Sequence, residues 1–380
     1  MNVEKENLKA NITNYGQVFT PSSVVDSMLD LRCNFGRTLE PASGTGAFLA
    51  KLETNAVAVE IDTKLCRDNR VINRDFFAYS SCEKFDTIVG NPPYVRFQDI
   101  TEPTKKLLAM QHFDRRSNLY LFFIDRCIDF LYEGGELIFI TPRSFMKATS
   151  AKNLNTRLYE EGSFTHFFEM GDTPIFKGAT PNCAIWRWEK GRMERKIDTG
   201  QHFCFRAGQI WFGSRERNDI LGDEFEVRVG AVSGADDVFT SNKHGCTNMV
   251  CSSTIADGRT RRMIYNRNDN SLRPHKQRLL NRKVRKFDES NWWEWGRKFF
   301  EKEGPRIYVN AKTRRSEPFY VSEEKAYDGS VIALFPRIEM NLDQAVKKLN
   351  QVNWLQLGFV CDQRFLFTQR SLENAPVSVL

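Results

Sequence analysis

The stretch TLEPASGTGAFLAKL (Thr38–Leu52) reads as a strand, a glycine turn and the opening of a helix. Glycine lets a ligand approach the backbone closely. The dinucleotide fingerprint G-x-G-x-x-G is incomplete, because Leu49 stands where the third glycine would be. An acid, Glu40, also precedes the turn. A carboxylate there disfavours a phosphate and suits a ligand carrying an ammonium group or hydroxyls. Alone, the turn fits a plain strand-to-helix connection equally well.

Outward from this stretch the pattern repeats. AVAVEI (Ala56–Ile61), VINRDF (Val71–Phe76), FDTIVG (Phe85–Gly90) and ELIFITP (Glu136–Pro142) read as strands or strand ends. NLYLFFIDRCIDFL (Asn118–Leu131) reads as an amphipathic helix with Leu119, Phe122, Phe123 and Cys127 on one face, stopped by Glu133-Gly134-Gly135. This alternation predicts an α/β fold with a parallel, doubly wound, Rossmann-like sheet. FTHFFEMG (Phe164–Gly171) and NCAIWRWEK (Asn182–Lys190) predict an antiparallel pair at one edge. After Lys190 the pattern changes, and from about Phe225 helical periodicity is poor. Two domains are expected, 1–225 and a mixed, β-containing 226–380.

Three acids fall at three successive strand ends: Glu40, Glu60 and Asp75. Open α/β sheets bind ligands in the crevice on that side. An acid like Glu60 can accept both hydroxyls of a ribose. Asp75 beside Phe76 can take an adenine amino group and stack its ring. The ligand implied is an adenosine carrying an amino acid, a description that S-adenosylmethionine fits.

The fourth strand ends in Asn91-Pro92-Pro93-Tyr94. Two prolines fix φ and remove two backbone donors. What remains is acceptors: the Asn91 side-chain oxygen and the Pro92 carbonyl. An amino group on a heteroaromatic ring is a weak nucleophile because its lone pair is delocalised. Two acceptors gripping its two hydrogens favour a pyramidal nitrogen and aim the lone pair at an electrophile. Tyr94 offers a flat face for the base.

Composition bounds the rest. At 41% hydrophobic and 27% charged, the chain of 380 residues reads as soluble and globular. No apolar run reaches transmembrane length, and Met1–Lys9 is too polar for a signal peptide. Nine cysteines without a C-x-x-C suggest free thiols in a reducing cytoplasm. His244, Cys246 and Cys251 lack paired ligand spacing, so no metal is expected. The net charge is +7, and Cys251–Tyr320 alone holds eighteen Lys/Arg against eight Asp/Glu. That run is interleaved with Trp292, Trp293, Trp295, Phe299, Phe300 and Tyr308, which points to a nucleic-acid partner over a merely solvated face.

In order along the chain stand GQVFTP (Gly16–Pro21), Glu40 to Leu49, Val59-Glu60-Ile61-Asp62, Arg74-Asp75-Phe76 and Asn91 to Tyr94. This order resembles the gamma-class adenine-N6 DNA methyltransferases of type II-like restriction–modification systems, over most of the chain and weakly at its C-terminus. The resemblance implies a catalytic domain that takes S-adenosylmethionine and a C-terminal DNA target-recognition domain. It implies cofactor contacts from Thr20, Pro21, Glu40, Ala42, Gly44, Gly46, Glu60, Ile61, Asp75, Phe76 and Asn91. Asn91, Pro92 and Tyr94 would be catalytic, and IFKGATPNCAIWRW makes Phe176 the match for an aromatic that sandwiches a flipped adenine with Tyr94. VGAVSGADDVF (Val229–Phe239) resembles the start of the recognition domain, followed by the basic-aromatic WWEWGR and PRIYVNAKTRR. Arg285, Lys286, Trp292, Arg297, Lys312, Arg314 and Arg315 are the expected DNA contacts.

The implied partner is double-stranded DNA, without a membrane. The expected state is a monomer, since methylating each strand separately needs no two-fold symmetry. Only fifteen residues precede Gly16, so any restriction endonuclease is expected to be a separate protein. Asn-Pro-Pro-Tyr grips any planar amino or amide nitrogen, so transfer to protein glutamine, to RNA or to cytosine N4 stays open on the motif alone. So does a catalytically dead DNA-binding module, although every expected catalytic position is occupied.

Overall fold

The computed structural model describes residues 20–80, 82–170, 182–213, 219–361 and 364–380. The chain divides into two compact units, Met1–Arg215 and Glu216–Leu380.

The first unit is built on a seven-stranded sheet. Its strands are β1 (Thr38–Glu40), β2 (Val57–Glu60), β3 (Val71–Asn73), β4 (Phe85–Gly90), β5 (Leu131–Pro142), β6 (Gly162–Glu169) and β7 (Cys183–Lys190), in the order β3-β2-β1-β4-β5-β7-β6. The first five run parallel, with registers such as Leu39↔Val57, Leu39↔Ile88 and Ile88↔Leu137. β7 pairs antiparallel with β5 and with β6. The expected doubly wound sheet with an antiparallel edge is thus the fold observed.

Two hydrophobic layers explain why the central strands are continuous apolar runs. Successive side chains alternate faces. Ile88, Leu137 and Phe139 join one layer, with α3 (Leu119–Phe130); Val89, Ile138 and Ile140 join the other, with Val25 and Met28 of α1 (Ser22–Leu29). α2 (Glu102–Leu107) and α4 (Lys152–Glu160) are the other α-helices among the described residues of this unit, and a hairpin of β8 (His202–Arg206) and β9 (Gln209–Gly213) packs Phe203, Ile210 and Phe212 into the first layer.

Three local expectations change. The helix after the glycine turn is only a 3-10 turn, Leu49–Lys51. Gly44 and Gly46 take φ of +53° and +80°, outside right-handed helix, and too few residues remain before β2. α3 is buried on almost every side and not amphipathic. Leu121, Ile124 and Ile128, away from the expected apolar face, are buried as well, while Phe76 stacks on Phe123 at 4.9 Å and Phe113 lies 4.2 Å from Phe122 on that face. Finally, β5 starts at Leu131, straight after the helix. The register irregularity between Phe85↔Leu131 and Thr87↔Glu136 absorbs the intervening residues, with Gly134 at φ +77°.

The second unit centres on an antiparallel sheet of β10 (Phe225–Val229), β13 (Arg306–Asn310), β15 (Phe319–Ser322) and β16 (Val331–Pro336), in the order β10-β16-β13-β15. One face buries Ile307, Val309, Ile332 and Leu334 against the helix Leu342–Gln351, whose Ala345 and Leu349 are in the same cluster. The other buries Tyr308, Tyr327 and Phe335. Two small sheets accompany it: β11 (Thr247–Met249) with β12 (Arg261–Met263), and β14 (Lys312–Thr313) with β17 (Val360–Cys361) and β18 (Arg364–Leu366). The division falls earlier than the expected 225/226 boundary, because Leu221 already belongs to the second core. No helix among the described residues is long and apolar enough to cross a membrane.

Candidate active site

β1 and β4 lie side by side, but the chain leaves β1 toward β2 and leaves β4 toward β5. Such a switch in strand order opens a crevice at the carboxyl ends of the strands. Glu40 ends β1 and Gly90-Asn91 ends β4, so both loops reach this crevice. They are close neighbours: a Cβ added at Gly90 would meet Pro41 Cδ at 3.6 Å and Glu40 Cγ at 3.9 Å.

Glu40 is 1% exposed. Its Oε2 accepts from the Leu49 N–H at 3.0 Å. Burial pushes its carboxyl well above the usual range; the Leu49 N–H opposes the rise and neighbouring Glu60 adds to it. Glu60 accepts from the Gly44 N–H at 2.7 Å through Oε2 and from the Asp62 N–H at 2.8 Å through Oε1. Burial still raises it, against those two donors. The Glu60 carbonyl meanwhile accepts from Arg74 N–H and from Asn73 Nδ2, which ties the ends of β2 and β3 together.

Around this pair of acids the turn is open. Nothing lies within 4 Å of where a Cβ would sit on Gly44. Ala42 is half-buried, and Ile61, next to Glu60, is 41% exposed, a large apolar surface beside buried carboxylates. Asp75 caps the following 3-10 turn: Oδ1 accepts from the Phe77 N–H at 2.9 Å, and Oδ2 from the Thr104 hydroxyl of α2 at 2.6 Å. Phe76 departs from its expected role. It is 3% exposed, and the ring stacks on Phe123 instead of presenting a face to the crevice. The hydrophobic layer claims it because burying an aromatic ring outweighs leaving it open.

The Asn91-Pro92-Pro93-Tyr94 loop is held at three points. Asn91 Nδ2 donates to Thr20 Oγ1 at 3.1 Å. Pro92 is buried. Tyr94 donates its hydroxyl to the Ile140 carbonyl at 2.9 Å, receives the Cys183 thiol at 3.7 Å and meets Tyr120 edge-on at 5.9 Å. Thr20 adjoins Pro21, whose carbonyl accepts the first N–H groups of α1. Phe176 lies outside the described residues, as do Gly16 to Phe19.

The structure therefore gathers Thr20, Pro21, Glu40, Ala42, Gly44, Gly46, Glu60, Ile61, Asp75 and Asn91 to Tyr94 along one edge of one sheet. Thr104, Tyr120, Ile140 and Cys183 escaped the sequence reading. Each holds a site residue through a contact spanning 26 to 89 positions, and no local pattern announces such pairs.

This donor set fits an adenosine bearing an amino acid. A buried acid whose proton affinity is raised favours a ligand cation. An oriented carboxylate suits vicinal hydroxyls, and the side-chain-free Gly44 leaves backbone within reach.

In the second unit the expected DNA-contact residues separate. Trp292 is 5% exposed and packs with Trp295, Phe239 and Met249, so it is core and not a groove contact. Arg285 is exposed and paired with Glu294. Arg297 is exposed, and its guanidinium donates to the Gly230 carbonyl at 3.1 Å. Lys286, Lys312, Arg314 and Arg315 are exposed.

Residues 40–176 match the family described as Eco57I restriction-modification methylase. The chain is 34% identical over 188 residues to the type II methyltransferase M.HincII of Haemophilus influenzae, covering 47% of this chain and 38% of that protein. It is 30% identical over 196 residues to the type II methyltransferase M.TthHB8I of Thermus thermophilus, covering 46% and 45%. The chain thus spans less than half the length of these curated relatives. Among solved structures, the type IIL restriction-modification enzyme MmeI in complex with DNA shares the fold, with a TM-score of 0.59 at 11% identity over 96% of this chain and 64% of that one. The likeness to restriction–modification methyltransferases drawn from the motifs is borne out.

Proposed function

We infer that this chain is a site-specific DNA methyltransferase that moves the methyl group of S-adenosylmethionine to N6 of an adenine flipped out of double-stranded DNA. The observation that carries this reading is the adjacency of the two loops at the switch point. The strand that leads into the glycine turn pairs with the strand that leads into the Asn91-Pro92-Pro93-Tyr94 loop, Leu39 beside Ile88, so the two loops leave neighbouring strand ends. Groups suited to an electrophile's carrier and groups suited to an amino group therefore share one crevice.

S-adenosylmethionine supplies an activated methyl group when bound. In this reading Glu40 faces its ammonium, Glu60 its ribose hydroxyls and Asp75 its adenine amino group. Ala42, Gly44 and Gly46 let it lie against backbone, Ile61 covers its base, and Thr20 and Pro21 border its methionine end. The Asn91 side-chain oxygen and the Pro92 carbonyl accept from the two N6 hydrogens, which aims the nitrogen lone pair. Tyr94 and Phe176 sandwich the extruded base, since a base inside the duplex cannot reach the crevice. The second unit acts as the target-recognition domain, with Arg285, Lys286, Arg297, Lys312, Arg314 and Arg315 meeting phosphates. The working form is a monomer.

Asn91→Ala should abolish methyl transfer while cofactor binding, measured by calorimetry, changes little. Full activity in that variant would overturn the mechanism. Methylation-sensitive sequencing of DNA from cells expressing the protein reads the base and the site together; methylated cytosine, or unmodified DNA beside methylated protein or RNA, would refute the adenine assignment.

A further inference from the structure

The Asn91 amide has a problem that its shape does not solve. A planar amide turned through half a circle occupies the same space but exchanges its acceptor for a donor. In the proposed reaction only the oxygen end can grip an amino group; the nitrogen end would set hydrogen against hydrogen. A hydroxyl partner pairs with either end and so fixes the place of the amide, while the hydrogens of the amino group, which only the oxygen accepts, fix its orientation.

We propose that Thr20 is a positioning residue for Asn91, its hydroxyl accepting from the amide nitrogen and so holding the side chain in place while the amide oxygen faces the amino group being methylated. This rests on the function proposed above. Asn91 Nδ2 donates to Thr20 Oγ1 at 3.1 Å across 71 positions of sequence. Both partners sit on firm ground. Thr20 leads into α1 through Pro21, whose carbonyl accepts from the Val24 and Val25 N–H groups at 3.0 and 3.1 Å. Val25 and Met28 of that helix are buried in the same layer as Val89, two residues before Asn91. A hydroxyl fixed by a helix and an amide fixed by a strand thus meet over one shared core. Pinning the nitrogen determines where the oxygen lies, because the two ends of an amide are rigidly opposed. The segment that would border the cofactor's methionine end is in this way coupled to the group that would hold the substrate.

The test compares Thr20→Val, which keeps the shape and removes the hydroxyl, with Thr20→Ser, which keeps the hydroxyl. Single-turnover transfer from radiolabelled S-adenosylmethionine to unmethylated genomic DNA is measured beside cofactor affinity and melting temperature. Thr20→Val should slow transfer on the order of 10–100-fold through the misdirected amide, with cofactor affinity changed less than about threefold. Thr20→Ser should restore most of the rate. A wild-type rate in Thr20→Val, a loss confined to cofactor affinity, or no recovery in Thr20→Ser would each overturn the proposal. If Thr20→Val melts early, the rates are compared at a temperature well below its melting point, where the variant is fully folded. An inactive Asn91→Ala beside a fully active Thr20→Val sinks this inference alone; an active Asn91→Ala sinks the function reading itself.

Discussion

Glu40 shows what a buried acid costs the fold. It is buried beside a second acid, and burial raises its carboxyl well above the usual range. The folded state therefore holds this proton more tightly than the unfolded chain does. The stability from that difference is complete below the ordinary carboxylate range, about pH 4, and is lost as pH rises through the raised value. Glu40→Gln removes the charge and keeps an acceptor for the Leu49 N–H. In the cofactor-free protein at neutral pH it should raise the melting temperature by about 2–4 °C, an advantage that disappears in scans at pH 4. Cofactor affinity should fall by about tenfold or more, because the ligand ammonium loses its buried counter-charge. Equal melting temperatures at pH 4 and pH 8 for both proteins would show that Glu40 is not held in this strained state. Phe76 teaches the opposite lesson at the same scale. Its neighbour Asp75 and its place at a strand end suggested a stacking face, yet packing against Phe123 decided the ring.

Among the elements, β6 and β7 form the edge that closes the first sheet, and one glycine permits it. A Cβ on Gly162 would lie 2.3 Å from the Glu189 carbonyl oxygen and 2.3 Å from Trp188 Cζ2. The backbone oxygen cannot step aside, and Trp188 is fully buried. Gly162→Ala should destabilise the protein by about 1–3 kcal/mol in urea unfolding, with cofactor affinity intact in the folded fraction. A neutral substitution would mean that the edge shifts freely. The sheet itself was legible, because β4, β5 and β7 are apolar runs of strand length bounded by turns. The missing helix after Gly46 was not, since a glycine turn looks the same whether a helix or a short 3-10 turn follows. The burial of Leu121, Ile124 and Ile128, away from the expected apolar face of α3, was not legible either, because what covers a helix arrives there as a tertiary event.

At the scale of the whole chain, charge and aromatic residues have separate jobs that composition merged. The run Cys251–Tyr320 looked like one basic-aromatic surface, but Trp292 and Trp295 are core while Lys312, Arg314 and Arg315 face solvent. Trp292→Ala should cost about 3–5 kcal/mol of stability without a selective loss of DNA affinity in the folded protein. Arg314→Ala with Arg315→Ala should leave stability unchanged, weaken DNA binding and reduce the slope of log K against log salt by about 1–2. An unchanged slope would mark these arginines as solvated surface.

The order of acids, glycines and Asn91-Pro92-Pro93-Tyr94 along the chain determined the sheet, its crevice and the chemistry that the crevice suits. Strand periodicity and strand-end residues are local properties, and the rules of sheet topology carry them to one edge. Only the tertiary structure decided which aromatics are walls of a core, which carboxylates are already engaged, and which hydroxyl accepts from Asn91. Those outcomes depend on contacts between residues tens of positions apart, where burial and hydrogen-bond satisfaction compete for the same side chains, and no stretch of sequence contains both competitors.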